Sequence, residues 1–174
     1  EEIKTISKKK FSLLLTHNSS LTDNFNPEAP VDEWILGGRI VHKKLLNPYS
    51  ENDRDAAQKE LLNFGLTGLS ETKLKRVSWA SSRMASLARS FATGSDILLM
   101  EKPEAGLDLH QRHLLSRNIK KYTASGKRIV ILTSCDLNFL AATCDRIITL
   151  NNGILPVPEG SSLNLLSENI LMLK

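Results

Sequence analysis

Residues 96–108 combine an apolar run with charged side chains at its end. Four apolar residues, 97–100, lead directly into Glu101 and Lys102, and the segment closes at Asp108. A short apolar run bounded by turn residues is typical of a strand in a parallel sheet, buried on both faces. Charged residues at the C-terminal edge of such a strand lie where open α/β sheets bind ligands. This segment is therefore the candidate chemical centre of the chain.

The composition is that of an ordinary globular domain. The 174 residues are 41% hydrophobic and 24% charged, which is enough for one buried core. No apolar run approaches the roughly 20 residues that span a bilayer, and the first ten residues lack the apolar stretch of a signal peptide. Cys135 and Cys144 have neither metal-ligand spacing nor disulfide density, which favours a reducing compartment.

The chain carries a net charge of +4, from Lys and Arg residues that are scattered in small clusters. A nucleic-acid surface is one interpretation of these clusters, and solvated helix faces are the other. The aromatic content is only 5%, which argues against a platform for base stacking. We therefore expect no nucleic-acid partner.

Turn residues and apolar periodicity divide the chain into short elements. The strands are predicted at 11–16, 97–101, 128–133, 146–150 and 154–157. The helices are predicted at 1–10, 31–40, 51–64, 79–93, 109–125, 137–143 and 161–174. The alternation of strand and helix from residue 96 onward predicts a parallel sheet with right-handed crossovers.

Two stretches of the sequence resemble ABC-type ATPases. Residues 96–108, DILLMEKPEAGLD, resemble the Walker B strand and D-loop of that family, whose usual text is close to ILLLDEPTAGLD. Residues 37–69 are similar to the pattern of the branch that energises importers of iron-siderophore, haem or cobalamin. A generic amphipathic helix pair is the alternative for this second stretch.

The resemblance implies an α/β fold, a P-loop NTPase-like parallel sheet with an inserted helical subdomain and its N-terminal part missing. The whole chain, 1–174, would be a single domain. Its helical subdomain would be 31–92, its sheet core 1–16 and 93–160, and its C-terminal helix 161–174.

The resemblance also places the family's catalytic positions on residues of other types. Glu101 and Lys102 stand for the aspartate that binds Mg²⁺ and the glutamate that polarises water. His17 stands for the Q-loop glutamine, with a solvated loop histidine as the alternative, and Cys135 stands for the switch histidine. A lysine ammonium, with a reference pKa of about 10.4, cannot accept a proton at neutral pH. We therefore expect no catalytic residue of the family's kind, and Glu101 is the remaining metal candidate.

The family's phosphate-binding motifs are altered as well. These residues contain no GxxxxGK[ST] motif, and the signature LSGGQ corresponds to VSWAS. Ser78 retains the hydroxyl of the signature, but Trp79 replaces a glycine whose missing side chain lets the backbone approach phosphate. Asp108 retains the D-loop aspartate. Ser78 and Asp108 are the candidates for nucleotide contact, and helix capping is the alternative for both.

These features together imply the ATP-binding subunit of an ABC importer for metal chelates, without ATP hydrolysis. By resemblance, its cofactors would be ATP and Mg²⁺, and it would work as a dimer of ATPase domains at the cytoplasmic face of the membrane. A transmembrane permease would dock near the helix that carries Trp34, and the dimer surface would include Ser78 and Asp108. The alternatives are a non-transport interaction protein that reuses the fold, and a fragment of a longer competent ATPase.

One strand of the family's sheet has no counterpart in our assignment. That strand lies between those that match 128–133 and 146–150, and we expect no segment of this chain to fill its place. Buried strand edges cannot be left unpaired without a large cost. We therefore expect a remnant of a longer chain, in which a gap or a foreign strand separates 128–133 from 146–150. A sheet that closes by pairing these two strands directly is the alternative.

Overall fold

The computed structural model describes residues 11–14, 26–42, 47–149 and 170–173. Within these ranges the strands are β1 (Phe11–Leu14), β2 (Ile97–Glu101), β3 (Ile129–Ser134), β4 (Arg146–Thr149) and β5 (Ile170–Leu173). The helices are α1 (Val31–Leu36), α2 (Glu51–Asn63), α3 (Trp79–Ala92), α4 (Leu109–Thr123) and α5 (Leu137–Thr143). Short 3₁₀ turns occupy Gly37–His42, Thr67–Leu69 and Leu74–Arg76. The predicted helix 1–10 and strand 154–157 lie outside the described residues.

The five strands form one sheet in the order β1-β2-β3-β5-β4. β2 pairs in parallel with β1 on one side and with β3 on the other, as expected for a strand of the predicted parallel sheet. Leu98 and Met100 of β2 are fully buried, while the alternating residues are half-buried. The prediction of full burial therefore holds for one face of β2 only.

The predicted C-terminal helix, 161–174, is wrong for Ile170–Leu173, which form β5. β5 lies between β3 and β4 and pairs antiparallel with both. The expected separation of 128–133 from 146–150 is confirmed, but the expectation that no segment of this chain fills the place is wrong. Four consecutive apolar residues fit a strand with neighbours on both sides as well as they fit a helix face, so spacing alone misassigned them. Residues 161–169 lie outside the described residues.

The core of the described chain is one continuous apolar cluster that reaches from α1 to α5. Three aromatic rings cross it: Phe91 of α3 lies edge-on to Phe64 at 5.1 Å and to Tyr122 of α4 at 5.0 Å between ring centroids. Such pairs add about 0.5–1.5 kcal/mol each to the burial of their area. The aromatic trio therefore links the end of α2 and the helix α3 to α4, the helix that follows β2. The assignment of 31–92 to a subdomain stays a prediction.

The GGR stretch at residues 37–39 packs against the C-terminal half of α3. A side chain at Gly38 would collide with the backbone carbonyl of Arg89, so only glycine fits there. Arg39 donates to Asp53 at 3.0 Å and to the carbonyl of Ala92 at 2.9 Å. This part of the importer-like pattern thus has a packing role, because it ties α2 and the 3₁₀ turn to the end of α3.

Candidate functional site

Lys102 follows β2 in a backbone conformation that side chains rarely adopt. Its φ is +40°, in the left-handed region, and it is the only described residue other than glycine with a positive φ. Its N–H donates to the carbonyl of Thr133 at 2.9 Å, and its own carbonyl accepts from Ala105 at 3.0 Å. These bonds hold the strained turn in place, and the Lys102 side chain is exposed at the carboxyl edge of the sheet.

Glu101, the last residue of β2, lies beside a guanidinium that the sequence analysis did not find. Arg83 of α3 donates from one nitrogen to the carbonyls of Glu101 and Lys102, both at 3.3 Å. Burial lowers the pKa of Arg83, and the nearby carboxylates of Glu101 and Glu104 oppose that change. The end of β2 therefore carries two cations, Arg83 and Lys102, around one half-buried carboxylate.

Ser78 and Trp79 begin α3. Ser78 is its N-cap and accepts from the N–H of Ser81 at 3.1 Å, which is the capping alternative for this residue. Trp79 is 63% exposed, and its indole covers Gly106, where a side chain would collide with the ring. Gly106 itself has a φ of +70°, so glycine is needed there on both grounds. The indole consequently fills the space between α3 and the loop after β2.

Asp108 caps α4 in a capping box with Gln111. Its carboxylate accepts from the N–H of Gln111 at 2.8 Å, and the Gln111 side chain accepts from the Asp108 N–H at 3.1 Å. The residue is exposed, so capping leaves it open to solvent.

Glu104 and Ser134 connect the loops that follow β2 and β3. Ser134 donates to Glu104 from its hydroxyl, and the same hydroxyl accepts from the N–H of Asp136 at 3.0 Å. Asp136 in turn accepts from Arg112 of α4 at 2.7 Å. Burial raises the pKa of Glu104 above its ordinary value. The sequence analysis missed this buried carboxyl because its burial depends on long-range contacts.

The structure brings most of the predicted positions to one edge. Glu101 ends β2, Lys102 follows it, and exposed Cys135 follows the neighbouring strand β3. Ser78 is linked to them through α3, whose Arg83 contacts the end of β2. His17 lies outside the described residues. Among the described residues, no group of three or more His, Cys, Asp or Glu side chains is placed to hold a metal ion.

Comparison with known proteins identifies relatives of this chain, although no family model matches it. It is 31% identical over 150 residues to the Nod factor export ATP-binding protein I of Bradyrhizobium diazoefficiens, an alignment that covers 85% of this chain and 46% of the relative. It is 27% identical over 150 residues to an iron(3+)-hydroxamate import ATP-binding protein of Bacillus subtilis, covering 83% and 55%. The chain is a homologue of ABC ATP-binding subunits.

A solved ABC structure agrees with this relationship. The crystal structure of a nucleotide-free ATP-binding cassette from an ABC transporter matches with a TM-score of 0.61 at 21% identity, over 83% of this chain and 59% of that one. The chain therefore has the fold of an ABC ATPase domain, in which its helices and mixed sheet correspond to part of the cassette. It spans about half the length of the curated relatives it matches, 46% and 55% of the two named above.

The described residues do not by themselves fit the Mg²⁺ that ABC ATPases bind with ATP. Mg²⁺ takes oxygen ligands in octahedral geometry and avoids cations. Glu101 is the carboxylate-bearing residue that ends β2, Arg83 and Lys102 lie beside it, and the carboxyl of Glu104 is buried against Ser134. No catalytic step through a bound metal can be derived from this set of side chains.

Proposed function

We propose that this chain is the ATP-binding-subunit-like component of an ABC importer for metal chelates, and that it does not hydrolyse ATP by the family's mechanism. Two features support an importer of this class. One is the sequence pattern of residues 37–69, and the other is the relative named for import of iron(3+)-hydroxamate. Other relatives are named for Nod factor export. The proposal of import rather than export therefore rests on the resemblance of residues 37–69 to the importer pattern.

The proposed lack of ATP hydrolysis rests mainly on Lys102, which stands where the family has its general base. A general base must accept a proton from the attacking water, and a lysine ammonium cannot do so near neutral pH. The fixed backbone of Lys102 holds this cation at the carboxyl edge, where Arg83 adds a second one. Excess positive charge there opposes binding of Mg²⁺ by Glu101.

Trp79 supports the same proposal, because it affects how a phosphate could bind. In an ABC signature, glycines leave the backbone N–H groups open to a phosphate. Here the Trp79 indole lies over Gly106 and fills that approach. We expect ATP and Mg²⁺, if they bind, to do so without the ordered contact that Ser78 and Asp108 provide in the family.

The partners of this chain are proposed from the same relationship. A transmembrane permease would dock against the helical part near Trp34, whose ring lies 4.1 Å from the Arg89 guanidinium that stacks on it. A second ATPase domain would face Ser78 and Asp108, which are both exposed. With these partners, the chain would lie at the cytoplasmic face of a membrane. Among the described helices, none has the length and apolar composition needed to cross a bilayer.

Phosphate release from Mg·ATP by the purified 174-residue chain tests the loss of activity. We expect no release above background from the chain or from Lys102→Glu, because Trp79 and Cys135 still lack the family's chemistry. Lys120→Glu, which changes a solvent-exposed lysine of α4, is the matched charge control. Turnover by the unaltered chain would disprove the proposal. Turnover only by a longer chain would instead identify these residues as part of a competent ATPase.

A non-transport interaction protein is the second candidate, and an exposed apolar surface favours it. Trp79 is 63% and Leu109 is 85% exposed at the starts of α3 and α4. Exposed large apolar residues at one edge of a fold are typical of protein contacts. Co-purification of the tagged chain separates the two functions: an integral membrane permease supports the importer component, and soluble partners alone contradict it.

A further inference from the structure

Glu104 is a buried carboxyl that the proposed function does not use. It is only 6% exposed, in the loop of residues 102–107 that follows β2. One of its oxygens, Oε1, accepts from the hydroxyl of Ser134, while Oε2 is buried with no hydrogen-bond partner among the described residues. Because Ser134 is the last residue of β3, this bond joins the loops that leave two neighbouring strands.

Charged groups from three other parts of the fold face Glu104: Arg83 of α3, Arg112 of α4 and Asp136 before α5. Arg112 is held by Asp136 at 2.7 Å and by the carbonyl of Leu107 at 2.9 Å. Burial is the main cause that raises the pKa of Glu104, and Asp136 acts in the same direction. The hydrogen bond from Ser134, an interaction with the backbone of Glu104 itself and the charge of Arg112 all lower the pKa and so oppose this change.

We propose that Glu104 is a latch that holds the loops 102–107 and 134–136 together while its carboxyl is protonated and releases them when it ionises. A neutral carboxyl with one unpaired oxygen is far less costly to bury than a carboxylate in the same position. Release would loosen the backbone that carries Lys102 and Cys135, whose side chains are exposed at the edge. This goes beyond the proposed function, because the latch acts whether or not nucleotide binds.

The direction of the pH effect follows from the raised pKa. A carboxyl that holds its proton more tightly when folded stabilises the folded state fully at pH below the ordinary range of glutamate. That stabilisation is lost as the pH rises through the folded-state pKa. The latch is therefore closed in acid and opens above the ordinary glutamate range.

Amide hydrogen exchange on the full 174-residue chain tests the latch, with Glu104→Gln as the variant that stays uncharged. After correction for intrinsic exchange rates, we expect the amides of the two loops to lose protection with rising pH in the unaltered chain. The Gln variant should keep their protection constant. Glu71→Gln, at an exposed glutamate, is the matched control and should follow the unaltered chain.

Two results would overturn the proposal: a loop protection that does not change with pH in the unaltered chain, or the same change in Glu104→Gln. Should the Gln variant fail to fold, a carbon-13 NMR titration of the Glu104 carboxyl in the unaltered chain decides the matter. Titration above the ordinary glutamate range supports the latch, and titration within that range refutes it.

Discussion

The helical part of the chain and the carboxyl edge of its sheet follow different rules. In the helical part, Arg39 pairs with Asp53 and with the end of α3. Asp53 also completes a capping box with Ser50 at the start of α2. At the edge, Lys102 holds a left-handed backbone, Glu104 has an unpaired oxygen, and Trp79 is exposed. Departures from local rules concentrate at functional or strained sites. The contrast therefore separates a regular helical part from a strained carboxyl edge, in a chain with the fold of an ABC ATPase domain.

The largest effect is expected in the scaffold, from Phe91→Ala. Phe91 is buried and contacts Phe64 and Tyr122, so its loss leaves a cavity between α2, α3 and α4. We expect the free energy of unfolding to fall by about 3–5 kcal/mol. Urea denaturation followed by circular dichroism measures it. Leu109→Ala, at an exposed apolar residue of the edge, should change it by less than about 0.5 kcal/mol. Equal losses in the two variants would break the contrast between scaffold and edge.

A smaller loss is expected from Gly38→Ala. The added Cβ would collide with the backbone oxygen of Arg89, which cannot move without displacing α3. Overpacking of this kind costs about 1–3 kcal/mol. Gly68→Ala is the matched control, because a Cβ at Gly68 meets no atom within 4 Å. Thermal denaturation of both variants checks the prediction, and an unchanged midpoint for Gly38→Ala would show that the close contact is not needed.

The smallest effect is a gain in stability, at the edge. Lys102→Gly removes the side chain that makes a φ of +40° unfavourable. We expect a net gain of about 1 kcal/mol, since left-handed strain costs on the order of 1–3 kcal/mol and glycine returns part of that through the entropy of the unfolded chain. Lys102→Ala keeps the strain and should give no gain. Chemical denaturation measures the free energy of unfolding of both variants. Equal values for Lys102→Gly and Lys102→Ala would show that the Lys102 backbone is not strained, and the edge would then differ less from the helical part.

The local part of this fold was predictable from sequence. Ser78 and Asp108 cap their helices, which is the alternative that the sequence offered for both residues. The strand 97–101 followed from an apolar run bounded by turn residues. Both signals act over a few residues, so a single sequence contains them.

What was missed depends on contacts between distant residues. Glu104 is buried against Ser134, which belongs to another strand. Arg83 lies at the site because it contacts the end of β2, 18 residues further along the chain. The strand Ile170–Leu173 was taken for a helix because its neighbours, β3 and β4, decide its conformation. Glu101 and Lys102 lie at the carboxyl edge of the sheet, where an apolar run that ends in charged residues indicated them, and their roles there stay predictions.

The register of β1 on β2 has a consequence for how the chain folds. Phe11 pairs with Ile97, and all three helices α1 to α3 lie between these partners in sequence. β2 and β3 are joined by α4 alone, so their pairing closes a much shorter loop. Because the entropy lost on closing a loop rises with its length, the unit of β2, α4 and β3 is expected to form early in the folding reaction. β1 would then dock late, and the assembly of this side of the sheet would set the pace of folding.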